Sequence, residues 1–181
     1  MKTIDFKKIS LRKMTEDDHP LSFEIYASTR REEMKASGWP QQQVEEFLQQ
    51  QALLQHQHYM KHYKDASFEI ISYKGEDVGR LYHEMITPKE LRIVDIALLP
   101  SYRNRGVGGK LLNDLLMQAE SNMHSISIHV EISNPAMDYF YKKLGFQFVR
   151  EAGGVYHLMQ WDPSGQRHTS PVVSEFSADL S

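Results

Sequence analysis

Pro100-Ser101-Tyr102-Arg103-Asn104-Arg105-Gly106-Val107-Gly108-Gly109-Lys110-Leu111-Leu112 follows directly on the apolar run Ile93-Val94-Asp95-Ile96-Ala97-Leu98-Leu99. The pattern reads as a strand, a basic glycine-rich turn and then a helix. Such a turn points successive backbone N–H groups into one concavity, and the dipole of the helix it opens adds positive potential there. Gly106, Gly108 and Gly109 let the backbone come close to a ligand. Arg103 and Arg105 add guanidinium charge, whose planar fork suits phosphate oxygens. The stretch reads as a cradle for a pyrophosphate.

Two common nucleotide motifs do not fit. G-x-x-x-x-G-K-[ST] is not supplied by Gly106 to Lys110. A dinucleotide fingerprint needs a third glycine where Leu111 stands, and an acid about 20 residues on. Asp114 and Glu120, the nearest acids, fall within the helix itself. A tight strand-to-helix connection with solvated arginines is the plain structural alternative.

A second segment separates these readings. Asn134-Pro135-Ala136-Met137-Asp138-Tyr139-Phe140-Tyr141-Lys142-Lys143-Leu144-Gly145-Phe146 follows the alternating run Ile126–Ile132. Asn134 is placed to cap a helix with Pro135 at its first position, and Gly145 to end it. Together the two segments resemble the GNAT superfamily of N-acetyltransferases. That family carries [Q/R]-x-x-G-x-[G/A], here Arg103-Asn104-Arg105-Gly106-Val107-Gly108. Downstream it carries N-x-x-A-x-x-x-Y-x-x-x-G-F, here Asn134, Tyr141, Gly145 and Phe146 with the alanine displaced to Ala136. The resemblance is specific from about Gly79 to Trp161. Before that, only the order of elements fits.

The elements read along the chain are a strand Ile9–Arg12, helices Leu21–Met34 and Gln41–Tyr63, and strands Ser67–Tyr73, Asp77–Met85 and Leu91–Leu99. A helix Val107–Ser121, a strand Ile126–Ile132, a helix Pro135–Leu144 and strands Phe146–Arg150 and Val155–Trp161 follow. This β-α-α-β-β-β-α-β-α-β-β order is that of the family. It implies an α/β (α+β) fold with a mixed, mostly antiparallel sheet of about seven strands flanked by about four helices. Residues 1–162 read as a single domain. Residues 163–181, rich in Pro, Ser and polar side chains, read as a flexible tail.

The resemblance implies an acetyl-CoA-dependent N-acetyltransferase. Ile96, Ala97 and Leu98 would offer backbone groups to the pantetheine arm where the fourth and fifth strands splay apart. Asn104, Arg105, Gly106, Val107, Gly108 and Gly109 would hold the pyrophosphate, with charge from Arg103 and Arg105, and Asn134 would hydrogen-bond the pantetheine. Attack by the amine in a ternary complex needs a base for the nitrogen and an acid for the departing thiolate. Tyr141 stands at the family's acid position; packing against its own helix is the alternative. Where relatives carry a glutamate five residues before the asparagine, this chain has His129. The base candidates are therefore His129, Asp95 and Glu131. Asp95 needs a partner such as Arg80 or Arg92, because an unpaired acid in so apolar a strand is costly. The second function class weighed is an acyl-CoA sensor or scaffold that keeps the cleft without turnover, and O-acetylation is a chemical variant of the first.

Composition bounds the rest. The 181 residues can bury a sizeable core, and 40% apolar content is ordinary. A net charge of −3 gives no reason to expect nucleic acid or an anionic membrane as partner. With no cysteine there is no disulfide, thiol nucleophile or thiolate metal site. Met1–Asp5 leads into no signal-peptide core, so a cytoplasmic location is expected. His56, His58, His62 and His83 invite a metal, but H-x-x-x-H without its glutamate is not the zincin pattern, and none is expected. The acceptor is read as a small-molecule or peptide amine. A homodimer through the closing strand Val155–Trp161 is compatible with the fold.

Overall fold

The structure is a computed structural model that describes residues 4–165. Beyond Pro163–Gly165, the expected tail lies outside the described residues. Seven strands form one sheet in the order β1-β2-β3-β4-β5-β7-β6. These are β1 Ile9–Lys13, β2 Ser67–Tyr73, β3 Glu76–Thr87, β4 Glu90–Leu98, β5 Ser125–Glu131, β6 Gln147–Ala152 and β7 Tyr156–Trp161. The helices are α1 His19–Met34, α2 Gln41–His62, α3 Val107–Asn122 and α4 Pro135–Lys143. Type and order match the sequence reading, and boundaries move by one or two residues.

The chain divides into two compact units, Met1–Glu84 with Asp95–Leu111, and Met85–Val94 with Leu112–Ser181. In the first, β1 pairs antiparallel with β2 and β2 with β3. Ile71 faces Gly79 while its neighbour Ser72 faces Asp77, so Val78 is the extra residue of a β-bulge. Its carbonyl is not idle, because it accepts from Leu99 N–H at 2.8 Å. Ile25, Leu48, Ile70, Leu81 and Tyr82 are at most 1% exposed and form this unit's core. On α1 the buried residues are Ser22, Ile25 and Ala27. On α2 only Leu48 is buried, and Leu54 is 40% exposed.

In the second unit, β4 and β5 run parallel over Glu90–Ile93 and Ser125–Ile128. A parallel pair cannot be closed by a hairpin, and α3 is the crossover that joins these two. β4 continues past the ladder to Leu98. Ile93, Leu112, Ile126, Met159 and Phe146 are at most 2% exposed and form the core here. β7 lies between β5 and β6, paired to both. Its backbone edges are thus consumed within the sheet, and the outermost strand is β6. A backbone edge contact on this side of the sheet would therefore use Gln147–Ala152. Among the described residues, no helix is long and apolar enough to cross a membrane.

Candidate active site

The glycine turn behaves as its sequence asks. Asn104 and Gly106 hold φ of 55° and 84°, the left-handed region that turns the chain sharply. Lys110 N–H donates to Gly106 C=O at 2.9 Å, which is the first bond of α3. The amides of Val107, Gly108 and Gly109 therefore precede any intrahelical acceptor, and they are the donors of a helix N-terminus. Val107 is fully buried and anchors the turn. A Cβ built on Gly108 or Gly109 would meet nothing within 4 Å, so space lies open beside both.

The two arginines of the turn are not equivalent. Arg103 turns inward, with Nε donating to Leu98 C=O at 2.7 Å and Nη2 to Ser28 Oγ on α1 at 2.5 Å. Burial pulls its pKa down. Its guanidinium ties the end of β4 to α1, which the sequence reading, with both arginines directed at phosphate, did not anticipate. Arg105 stays at the turn, with Nη1 donating to Ser101 C=O at 3.0 Å and its guanidinium lying over the Tyr102 ring. Tyr102 in turn donates to Glu76 at 2.9 Å, and that bond raises its pKa.

β4 carries Asp95, Ile96, Ala97 and Leu98 in sequence. Gly79 on β3 is pressed against them: a Cβ there would sit 2.5 Å from Ala97 O and 2.6 Å from Leu98 Cδ2. Asp95 finds the partner its burial demands. Its Oδ2 lies 2.6 Å from Arg80 Nη2, with side-chain exposures of 19% and 6%. The two side chains form a buried ion pair at hydrogen-bonding distance. Arg80 also donates to Ser22 Oγ at 2.7 Å and Gln55 Oε1 at 2.8 Å. Desolvation opposes its charge most strongly, but Asp95 together with Tyr82 and Tyr59 outweighs it, and its pKa is raised.

In the second unit, His129 is half-buried. Burial, and then the charges of Arg92 and Arg150, push its pKa down to about 4. Arg92 Nη1 lies 3.5 Å from His129 Nδ1. Because a guanidinium can only donate, that contact favours an imidazole whose Nδ1 accepts and whose Nε2 carries the proton. Arg92 is itself held: its Nε donates to Ser127 Oγ at 2.7 Å, and Ser127 donates to Glu90 at 2.5 Å. Alternation along the strand places Ser127 on the face of His129 and Glu131, but sequence reasoning did not single out Glu90. Glu131, half-buried, ends β5 opposite Tyr156.

Asn134 Oδ1 accepts from Met137 N–H at 3.2 Å, so the side chain does cap α4. Its amide nitrogen, and the second lone pair of Oδ1, can still serve a ligand. Tyr141 is 2% exposed, with its ring 5.4 Å from those of Phe140 and Phe146. Its hydroxyl is the one polar atom on a ring otherwise held by packing. A cleft of about 660 Å³ lies elsewhere in the first unit, lined by Met14, Glu16, His19, His56, Met60 and Phe68 among others, and no candidate residue borders it. Among the described residues, no group of three or more His, Asp or Glu side chains is gathered to hold a metal.

Residues 23–146 match the model of the Acetyltransferase (GNAT) family, a span that begins well before the segment where the motifs are specific and ends within it. The chain is 34% identical over 74 residues to N-alpha-acetyltransferase 50 of Danio rerio, covering 40% of this chain and 44% of that protein. It thus spans less than half the length of that relative. A solved structure of similar fold is the PaiA N-acetyltransferase of Thermoplasma acidophilum in complex with coenzyme A, with a TM-score of 0.60 at 18% identity, covering 85% of this chain and 98% of that one. A GNAT family acetyltransferase from Elizabethkingia anophelis with acetyl-CoA bound aligns with a TM-score of 0.56 at 16% identity over 86% and 98% of the two chains. With more than half of its residues matched to the family model, on the sheet order and glycine turn described above, the chain belongs to the GNAT acetyltransferase family.

Proposed function

We propose that this chain is an acetyl-CoA-dependent N-acetyltransferase that moves an acetyl group to a primary amine by direct attack in a ternary complex. The observation that carries the reading is the turn Arg103–Gly109, whose Val107, Gly108 and Gly109 amides open α3 beside unfilled space. A pyrophosphate suits those donors. That two proteins of the same fold were solved with coenzyme A or acetyl-CoA supports the same ligand here. Ile96, Ala97 and Leu98 are assigned to the pantetheine, and Arg105 adds charge for the phosphates. Arg103 contributes by fixing the strand end rather than by gripping phosphate. Residues 1–162 are read as the transferase domain, in a cytoplasmic protein.

The reaction joins the amine nitrogen to the thioester carbon and breaks the C–S bond. Tyr141 is assigned to give its phenolic proton to the departing thiolate. Its place one turn before Gly145 and Phe146, the family's acid position, supports that assignment. An acceptor that arrives as an ammonium sheds two protons, one before attack and one as the amide forms; one replaces the proton Tyr141 gave to the thiolate, and three groups were candidates to take the other. Protonating His129 would create a buried cation close to Arg92 and Arg150, which its lowered pKa of about 4 already opposes. Asp95 is committed to Arg80. Glu131 is the carboxylate we assign to draw in the ammonium and to receive its proton, directly or through water.

The test is thiol release from acetyl-CoA across peptide α-amines, lysine side chains, polyamines and aminoglycosides, using wild type and Tyr141→Phe. Calorimetric titration with acetyl-CoA runs in parallel. Amine-dependent release that falls by about 10²- to 10⁴-fold in Tyr141→Phe, with binding retained, is the expected result. Binding without release on any amine would favour the sensor reading, and absence of binding would overturn the assignment of the turn.

A further inference from the structure

Asp95 immediately precedes the three residues assigned to the pantetheine, and it is the only member of β4 in that stretch whose side chain carries charge. A charge there demands an explanation, since removing a carboxylate from water without compensation is costly. Its compensation is Arg80, 5% exposed and buried among three other elements of the same unit. One guanidinium reaches Ser22 on α1, Gln55 on α2 and Asp95 on β4, while its own backbone belongs to β3. Its face rests on the Tyr82 ring, 5.2 Å from the centroid, and the Tyr82 hydroxyl lies 3.4 Å from the same Ser22 Oγ. Guanidinium is suited to this, because it offers five donors in a fixed plane and cannot lose its proton.

We propose that Arg80 is a positioning residue for the transfer reaction: acting through Asp95, it fixes the backbone of Ile96–Leu98 against α1 and α2 so that this segment is set for the pantetheine before the ligand arrives. The inference rests on the acetyl-CoA reading above and goes beyond it, by giving Asp95 a mechanical role in place of a chemical one. Gly79 adds a second constraint on the same segment from the same strand, since its missing side chain lets the Ala97 carbonyl come within the space a Cβ would fill. Between them, adjacent residues of β3 hold β4 by charge at Asp95 and by close packing at Ala97 and Leu98.

Arg80→Lys and Asp95→Asn are compared with the milder Ser22→Ala and Gln55→Leu, each of which removes one anchor and leaves the ion pair. All four are measured well below their unfolding temperatures for acetyl-CoA affinity by calorimetry, and for kcat, KM and the pH–rate profile. The expected outcome is a weaker acetyl-CoA Kd, by about 10- to 100-fold in Asp95→Asn and Arg80→Lys and by a few-fold in the anchor variants. The midpoints of the pH–rate profile should not move. A purely structural role would lower thermal stability and leave the Kd of the folded protein alone. Asp95→Asn that binds acetyl-CoA normally but loses turnover and the acidic limb of its profile would make Asp95 the base and overturn the proposal. Should the ion-pair variants fail to fold, an unchanged Kd in both anchor variants overturns it as well. Failure of wild type to bind acetyl-CoA would overturn the functional reading together with this one, whereas normal wild-type binding with unaltered variants overturns this one alone.

Discussion

Gly79→Ala adds one methyl group, and the structure fixes what it meets. The new Cβ would lie 2.5 Å from Ala97 O, 2.6 Å from Leu98 Cδ2 and 3.2 Å from Ile71 Cδ1. The Leu98 side chain can rotate away. The Ala97 carbonyl cannot, because it belongs to the backbone of β4. Relieving the contact to an ordinary C···O separation of about 3.3–3.6 Å requires β3 and β4 to part by about 1 Å. Overpacking of this kind costs about 1–3 kcal/mol. Against it stands the gain from restricting the unfolded chain, about 0.4–1 kcal/mol for a glycine whose backbone angles alanine can adopt. The clash wins, and a net destabilisation of about 1–2 kcal/mol is expected. For a chain of this size that lowers Tm by about 2–8 °C. Thermal and urea unfolding of the two proteins measure it, with acetyl-CoA titration beside them. Since the displaced carbonyl lies within Ile96–Leu98, affinity should fall along with stability. A Gly79→Ala protein as stable as wild type, or more so, would refute the close approach on which this reasoning rests.

Gly108→Ala is the counterpart: its Cβ meets nothing within 4 Å, and alanine in a helix is favoured over glycine by about 0.5–1 kcal/mol. Unfolding should therefore show unchanged or raised stability while acetyl-CoA affinity drops, and intact affinity would remove Gly108 from the binding surface. Gly106→Ala should lose both, because φ of 84° strains any side chain and the Cβ would lie 3.0 Å from Phe6 Cζ. A cost of about 1–2 kcal/mol in urea unfolding is expected. His129 makes stability pH-dependent. Folded, it stays neutral down to about pH 4, whereas an unfolded imidazole takes up its proton near pH 6.5. The unfolded chain thus binds more protons between those values, and stability falls as pH drops through that window. Between about pH 7 and pH 5 the loss is at most about 2 kcal/mol. His129→Gln should abolish that part of the slope in denaturant titrations, and identical slopes in both proteins would refute it.

The sequence by itself carried whatever is decided over a few residues. The turn from Arg103 to Gly109 follows from glycine and asparagine at left-handed positions next to a helical apolar pattern. Asn134 and Pro135 begin α4 for reasons equally local. Strand and helix order followed from periodicity, and two motifs at fixed separation carried the family. Even the need of Asp95 for a partner was legible, because the cost of burying a lone charge does not depend on where the partner lies in the chain.

Which groups meet across long separations was decided only by the tertiary structure. Arg103 sits at a motif position that suggested phosphate, yet it reaches Ser28, 75 residues away, since burial makes a fixed oxygen partner preferable to solvent. His129 looked like a competent base from its ordinary pKa; its desolvation and the nearness of Arg92, 37 residues away, reverse that. Gly79 gave no motif at all, for its importance lies in the carbonyl of a neighbouring strand. β7 reads as a closing strand, but β6 pairs outside it and takes the edge. Periodicity and turn chemistry are properties of the local chain and so survive in the sequence. Burial, charge pairing and close backbone approach depend on the sum of distant neighbours, and no short stretch encodes that sum.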